Sequence, residues 1–241
     1  MAAAKTVLAI VPARGGSKGI PRKNIRLVHG KPLIAYTFEQ ALASSNITRL
    51  ILSTDDEEIA NVGKQYGVDV PFLRPADLAN DHASQLDAVL HTMNYIRQND
   101  DTVYDVVSLL QPTAPLRLAA DIDSSLNLLH ETNADSVVGF CSVGNSHPYY
   151  MYTLNDTEPH PLLSVPANIS RRQDFPDVYL RNGAIYAVRW DVLMEQRSFY
   201  GSKVCAYVMP RERSINVDTE LDMLMVEAII GQAIKMKLDN D

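Results

Sequence analysis

A chain of 241 residues, 46% of them hydrophobic, can bury one good core, as a single large domain or a domain with a small appended lobe, and requires no second domain. Its 22 Lys and Arg against 29 Asp and Glu give a net charge of −7, which argues against the broad basic face of a nucleic-acid binder. Cys141 and Cys205 lie far apart and outside any C-x-x-C pair, which argues against a structural zinc site or a disulfide framework.

The apolar run Val7 to Val11 is closed by Pro12, so it is too short for a signal peptide or a membrane span and reads as a first strand. A cytoplasmic location without membrane association is the expectation. The strand breaks into Ala13-Arg14-Gly15-Gly16-Ser17-Lys18-Gly19-Ile20-Pro21-Arg22-Lys23-Asn24. Glycines let backbone N–H groups approach a ligand, and Arg and Lys add positive charge at a strand end, where phosphates commonly bind. Seven cations (Lys5, Arg14, Lys18, Arg22, Lys23, Arg26, Lys31) precede the first acid, Glu39. Such a local positive field in an acidic chain suits a small polyanion. A solvated basic loop is the alternative, made less attractive by three closely spaced glycines. Their spacing fits neither G-x-x-x-x-G-K-[ST] nor G-x-G-x-x-G.

Pro32 at a first helical position, followed by Leu33, Ile34, Phe38, Ala41 and Leu42, predicts a helix over about 32–44. Arg49 to Ser53 reads as a buried strand, and Thr54-Asp55-Asp56 caps a helix over about 57–66, which gives both aspartates a structural role. Val68 to Phe72 reads as a third short strand, and Leu86, Val89, Leu90, Met93 and Ile96 mark the next helix. Asp105 to Leu110 is apolar enough for mid-sheet, and it runs into Gln111-Pro112-Thr113-Ala114-Pro115-Leu116-Arg117, an extended excursion where open α/β sheets place ligands. A helix over about 119–131 and a strand over 136–140 follow. From Gly144 to Phe175 periodicity is lost, which predicts a protruding hairpin or lobe. Gly183 to Val188 and Val204 to Met209 resume the core, and an amphipathic helix over about 219–237 closes the chain. The alternation of strands and helices predicts an α/β fold with a mostly parallel sheet.

The tract ARGGSKGIPRKN resembles, nearly residue for residue, the signature of the CMP-sialic acid synthetases (acylneuraminate cytidylyltransferases), a family that includes the legionaminic and pseudaminic acid cytidylyltransferases. LILSTDDEEIA, LLQPTAPLR, RRQDFP, NGAIY and NVDTELD stand in that family's order. The resemblance implies a Rossmann-like nucleotidyltransferase fold, one domain over 1–241 with 144–175 as a small protruding dimerisation lobe, and a homodimer. It also implies that CTP and a nine-carbon 2-keto sugar acid react to give a CMP-sugar and pyrophosphate.

On this resemblance Arg14, Lys18 and Lys23 bind the triphosphate together with the N–H groups around Gly15, Gly16 and Ser17, and Asn24 hydrogen-bonds the nucleotide. Arg14 and Lys23 count as catalytic, because attack of a sugar hydroxyl on the α-phosphate relies on positioning and charge neutralisation. Arg22 and Arg26 are expected to be solvent-exposed. Arg74, Ala83, Ser84 and Gln85 fall where the family reads base and ribose, although Ser84 is equally a helix cap. Gln111 and Thr113 match the substrate-contacting QPT, and Arg117 either ion-pairs locally or reaches a phosphate. Arg171, Arg172, Gln173 and Asn182 resemble the sugar-acid side, where paired arginines suit a carboxylate, and both arginines are counted as catalytic. Phe175, Tyr179 and Tyr186 are candidates for the pocket wall, with Tyr186 equally a core residue.

The family commonly carries I-D-I-D before its last helix, two carboxylates that hold Mg²⁺ on the triphosphate. Here the tetrad is Ile215-Asn216-Val217-Asp218. The implied metal ligands are therefore Asp218 and Asn216, a pair with one charge fewer and weaker for Mg²⁺, with Mn²⁺ as a possible substitute. Asp218 is also a natural cap for the following helix. Two alternatives remain beside the main reading. One is a nucleotide-binding homologue without turnover, motivated by Asn216; the other is a cytidylyltransferase for an eight-carbon keto sugar acid, whose loop lacks the GGSKG form. The choice among nine-carbon acids is assigned to the 144–175 lobe.

Overall fold

The computed structural model describes residues 5–17, 19–166, 169 and 171–238. In chain order these form β1 (Val7–Pro12), β2 (Leu27–Val28), β3 (Lys31–Pro32), α1 (Leu33–Leu42), β4 (Arg49–Ser53), α2 (Glu57–Gln65) and α3 (Gln85–Asn99). There follow β5 (Val106–Leu109), α4 (Ala119–Thr132), β6 (Ser136–Ser142), β7 (Tyr152–Asn155), β8 (Glu158–Pro161), β9 (Tyr179–Arg189), β10 (Val204–Val208) and α5 (Glu220–Leu238).

Six strands build the main sheet in the order β10-β6-β9-β5-β1-β4. β1 runs parallel to β4 and to β5, and β10 parallel to β6, whereas β9 is antiparallel to both β5 and β6. Side chains alternate across β1 as a strand demands. Val7, Ala9 and Val11 pack with Ile34 and Phe38 of α1, Ile59 of α2 and Leu126 of α4, while Leu8 and Ile10 pack with Val89, Met93 and Ile96 of α3. The sheet is thus covered on both faces, which is why β5 is buried along its whole length. A third apolar cluster joins Met223, Val226 and Ile230 of α5 to Ile20, Val28, Leu33 and Val217.

Several expectations shift by local chemistry. Val68 to Phe72 is no strand: a single bridge pairs Ile51 with Asp69, and Pro71, which has no N–H, stops the ladder. Pro32 precedes α1 as its cap and is not its first helical residue. The β2–β3 hairpin was hidden in two-residue strands; its turn places His29 (φ 47°) and Gly30 (φ 76°) in the left-handed region that a two-residue hairpin favours. Within 144–175, β7 and β8 form an exposed hairpin rooted by packing of Phe175 on His147 and Tyr149, with ring centroids 4.8 and 5.0 Å apart. Ala167, Asn168 and Ser170 of that stretch lie outside the described residues.

Gly63 of α2 shows how tightly the helices seat. A Cβ there would lie 2.5 Å from Leu52 Cδ2 and 3.3 Å from Val70 Cγ2, and Leu52 is fully buried. Alanine in a helix interior ordinarily gains ~1 kcal/mol over glycine, but overpacking a closed site costs ~1–3 kcal/mol. Gly63→Ala is therefore expected to lower the urea midpoint of unfolding, and a raised midpoint would show that Leu52 can yield.

Candidate active site

Parallel pairing of β1 with β4 on one side and β5 on the other makes the β1/β5 boundary the switch point of the sheet, and loops leaving the carboxyl ends of these strands open a crevice there. A cleft of about 410 Å³ fills it, lined by Pro12, Arg14, Ser17, Gly19, Lys23, Asn24, Gln85, Gln111, Pro112, Thr113, Asn216 and Asp218. A second recess of about 280 Å³ shares Pro12, Arg14 and Gln85 with it and continues past Arg74, Asn80, Asp81, Ala83 and Ser84. The joined space has the size of a small-molecule site, ~300–1,000 Å³.

The basic loop forms one wall. Lys23 Nζ donates to the Val217 carbonyl at 2.6 Å and to Asp218 Oδ1 at 3.0 Å, which draws the loop onto the segment preceding α5. Arg14 Nη1 donates to the Asn80 carbonyl at 3.2 Å and to Asp81 at 3.1 Å, so it bridges the two recesses. Asn24 is buried; its Nδ2 holds the Arg14 carbonyl at 3.1 Å and its Oδ1 has no hydrogen-bond partner. Not every loop N–H faces the cleft: that of Gly15 donates to Asp55 Oδ1 at 3.1 Å and that of Ser17 to the Gly15 carbonyl at 3.2 Å. Arg22 and Arg26 are half-exposed, in keeping with the expected solvent exposure, and each is also paired, Arg22 with Asp56 and Glu58 and Arg26 with Glu220. Lys18 lies outside the described residues.

The second recess is built around Arg74. This side chain is 5% exposed, its Nε and Nη2 lack hydrogen-bond partners, and Asp55 stands 3.7 Å from Nη2. Burial pushes its pKa below the ordinary guanidinium value, a shift that Asp55 opposes and Arg14 reinforces. Ser84 does cap α3, accepting the Asp87 N–H at 3.1 Å, while it also lines the recess. Asn80 and Asp81 were not singled out from sequence; the polar run before Ala83 was their only signal.

An amide wall faces the loop. Gln111 Nε2 donates to Gln85 Oε1 at 2.8 Å, and Val217 N–H donates to the Thr113 carbonyl at 2.7 Å, which binds the Asn216–Asp218 segment to the β5 excursion. Gly183, with φ 71°, lies beneath: a Cβ would come within 2.8 Å of Gln111 Oε1 and 3.2 Å of Asn216 Nδ2. Asn216 Oδ1 is buried without a hydrogen-bond partner.

Six candidates fall elsewhere. Asn182 is buried and uses its amide internally, donating to Ser214 Oγ at 3.0 Å and accepting the Ala184 N–H at 3.0 Å, so it does not line the cleft. Arg171, Arg172 and Gln173 sit on the surface of the lobe; Arg171 pairs with Asp174 at 3.0 Å and Arg172 bonds Asn145. Arg117 neither reaches the cleft nor forms a close ion pair. It is fully buried, with Nη1 on the Ala184 carbonyl at 2.5 Å, and burial lowers its pKa to about 9 against the opposing pull of Asp121. Tyr186 packs in the core against Phe199 with centroids 5.5 Å apart.

A cationic loop, a buried arginine and an amide wall thus meet around the switch point of an α/β sheet. The sequence pattern of the cytidylyltransferase family matches residues 8–201, and the chain belongs to that family. It is 33% identical over 234 residues to the CMP-N,N'-diacetyllegionaminic acid synthase of Legionella pneumophila, covering 93% of this chain and 96% of that one. It is 36% identical over 219 residues to a pseudaminic acid cytidylyltransferase of Campylobacter jejuni, covering 90% and 92%. Identity is 32% over 230 residues to the post-translational flagellin modification protein B of Campylobacter coli, covering 94% and 95%. Among solved structures, a CMP:2-keto-3-deoxy-manno-octonic acid synthetase complexed with CTP shares the fold at a TM-score of 0.72 and 19% identity, over 95% of this chain and 100% of that one.

Proposed function

We propose that this cytidylyltransferase activates a nine-carbon 2-keto sugar acid (an N-acylneuraminate, legionaminate or pseudaminate) with CTP, giving the CMP-sugar and pyrophosphate. One observation carries the reading: the cleft walled by Arg14 and Lys23, about 410 Å³, and the Arg74 recess, about 280 Å³, share Pro12, Arg14 and Gln85, and Gln111 and Thr113 line the larger of the two. The names of the relatives matched along nearly their whole length agree with it. The eight-carbon alternative rests on likeness of fold alone. A cytoplasmic location, where nucleoside triphosphates are available, fits this reading; among the described residues no helix is long and apolar enough to cross a membrane.

In this mechanism a sugar hydroxyl attacks the α-phosphorus, the bond from that phosphorus to the bridging oxygen breaks, and pyrophosphate leaves. Arg14 and Lys23 offset the charge that gathers on the phosphates, and Asn24 holds the Arg14 carbonyl so that the loop keeps its shape. Arg74 lines the recess that would take the base or ribose, and Gln85 and Gln111 present amides that suit sugar hydroxyls and an N-acyl group. Arg171 and Arg172, on a lobe that we propose contacts a second copy, supply cations for the sugar carboxylate. Light scattering at working concentration is expected to give a dimer mass; a fully active monomer would remove the lobe's role.

Asn216 and Asp218 fit a hard divalent cation in donor type: a buried amide oxygen without a partner and a carboxylate on the same cleft. Among the described residues no group of three His, Cys, Asp or Glu could hold a metal, so phosphate oxygens would complete the set. Bound there, Mg²⁺ would neutralise triphosphate charge. Asp218 also pairs with Lys23, so the two cations share one carboxylate.

Removing a preorganised charge from such a site costs on the order of 10² or more in rate. Arg14→Ala and Lys23→Ala are each expected to lose at least that in pyrophosphate release with CTP and a sugar-acid panel, a far larger effect than on thermal stability. Near-normal turnover in both would exclude the proposed triphosphate wall, and no turnover by the unmodified protein with any sugar acid would favour the non-catalytic alternative. Restoring a charge by Asn216→Asp is expected to lower the Mg²⁺ concentration for half-maximal rate, whereas Asp218→Ala should nearly abolish activity. Mn²⁺ should partly relieve weak metal binding in the unmodified protein. An unchanged Mg²⁺ dependence together with an active Asp218→Ala would release both residues from the metal.

A further inference from the structure

The two residues after β4 touch both halves of the cleft. Where β1 leaves the sheet, Ala13 N–H donates to the Ser53 carbonyl at 3.0 Å. The Thr54 carbonyl accepts the Arg74 N–H at 2.7 Å. Asp55 then reaches both ways with a single oxygen: Oδ1 accepts the Gly15 N–H at 3.1 Å and stands 3.7 Å from Arg74 Nη2.

From sequence both aspartates were given to the start of α2. The structure assigns that work to Asp56 alone, which accepts the Ile59 N–H at 3.0 Å and pairs with Arg22. Asp55 is therefore not needed by the helix. It faces the interior side of the loop, where Gly15 is pressed so close that a Cβ would lie 2.6 Å from Asp56 Oδ2. A carboxylate that holds one loop by its N–H and offsets the buried charge of the other fixes the distance between them.

We propose that Asp55 is a positioning residue that keeps the phosphate loop at Gly15 and the base-side Arg74 in register, so that one CTP can engage both ends at once. The inference rests on the CTP reading above. Its signature follows from linkage: a ligand that spans two recesses gains from their alignment, whereas its separate pieces tolerate misalignment.

Calorimetric titration of the full chain with CTP, cytidine and inorganic tripolyphosphate tests it on the unmodified protein, Asp55→Ala and Asp55→Asn. Asp55→Ala should weaken CTP about tenfold or more while each fragment loses less than about threefold, because the lost avidity belongs to the joined ligand. Asp55→Asn, which keeps an oxygen for the Gly15 N–H but no charge for Arg74, should fall between. In turnover the KM for CTP should rise while that for the sugar acid stays put. Equal CTP affinity in all three proteins overturns the inference, as does a loss of equal size for CTP and both fragments accompanied by a lower melting temperature. Should Asp55→Ala fail to fold, unchanged CTP affinity in folded Asp55→Asn overturns it alone. Absence of CTP binding by the unmodified protein overturns the cytidylyl-transfer reading itself, and this inference with it.

Discussion

Everything at the cleft depends on β1 being paired in parallel on both edges. Val11 lies opposite Leu52 of β4, and Ile10 opposite both Ile51 of β4 and Leu109 of β5. β1 and β4 end at the same level and β5 two residues short of it, so the basic loop, the Thr54–Asp56 turn and the Gln111–Thr113 excursion emerge side by side. Backbone bonds then lock the loops to each other: Ala13 to Ser53, Leu110 to Ile10, and Val217 to Thr113. The charges of the site are carried by loops, but their spacing is set by the least deformable part of the molecule.

Two kinds of cation stand in and around this space, and burial separates their roles. Arg14 with Asp81 and Arg22 with Asp56 are exposed or half-exposed pairs, of a type worth little in water because solvent and salt screen them. A polyphosphate can displace such partners at small cost. Arg74 and Arg117 are different, since burial lowers the pKa of both. Arg117 answers burial by donating to the Ala184 carbonyl, one residue beyond Gly183, and so braces the strand beneath Gln111. Arg74 keeps Nε and Nη2 buried without a hydrogen-bond partner, with the Asp55 carboxylate 3.7 Å from Nη2.

Much of this was legible because strands buried on both faces read as apolar runs and helices as three-and-four spacings; β1, β4, β5 and α1 to α4 are of that kind. The twelve-residue loop signature marked one wall of the cleft, and the QPT tract the opposite wall. What was not legible depended on partners distant in sequence. No local pattern tells that Arg26 meets Glu220, that Arg22 meets Asp56, or that Arg117 turns inward to a carbonyl 67 residues on. The direction of β9 was likewise hidden, since Gly183 to Val188 has the same apolar pattern in either orientation. Asn182, polar beside a strand of small apolar residues, looked like a ligand contact and is a hydrogen-bonded core amide, holding the Ala184 N–H where Gly183 bends the chain. Asp55 and Asp56 shared one reading because a helix start explains either, and only the distances separate the cap from the residue that faces the loop.

The site also joins the two ends of the chain. Lys23 donates to the Val217 carbonyl 194 residues away, and the apolar cluster of Ile20, Val28 and Leu33 with Met223 and Val226 holds α5 against the loop that Lys23 terminates. Contacts of such separation carry a large loop-closure entropy, which grows only slowly with length once the intervening sheet has formed. The phosphate wall is therefore expected to complete only after the sheet has closed and α5 has docked, because neither the N-terminal loop nor the Asn216–Asp218 segment has its own core. That arrangement explains why Gly15, Lys23 and Asp218 are held by hydrogen bonds that involve side chains, and not by ladder pairing.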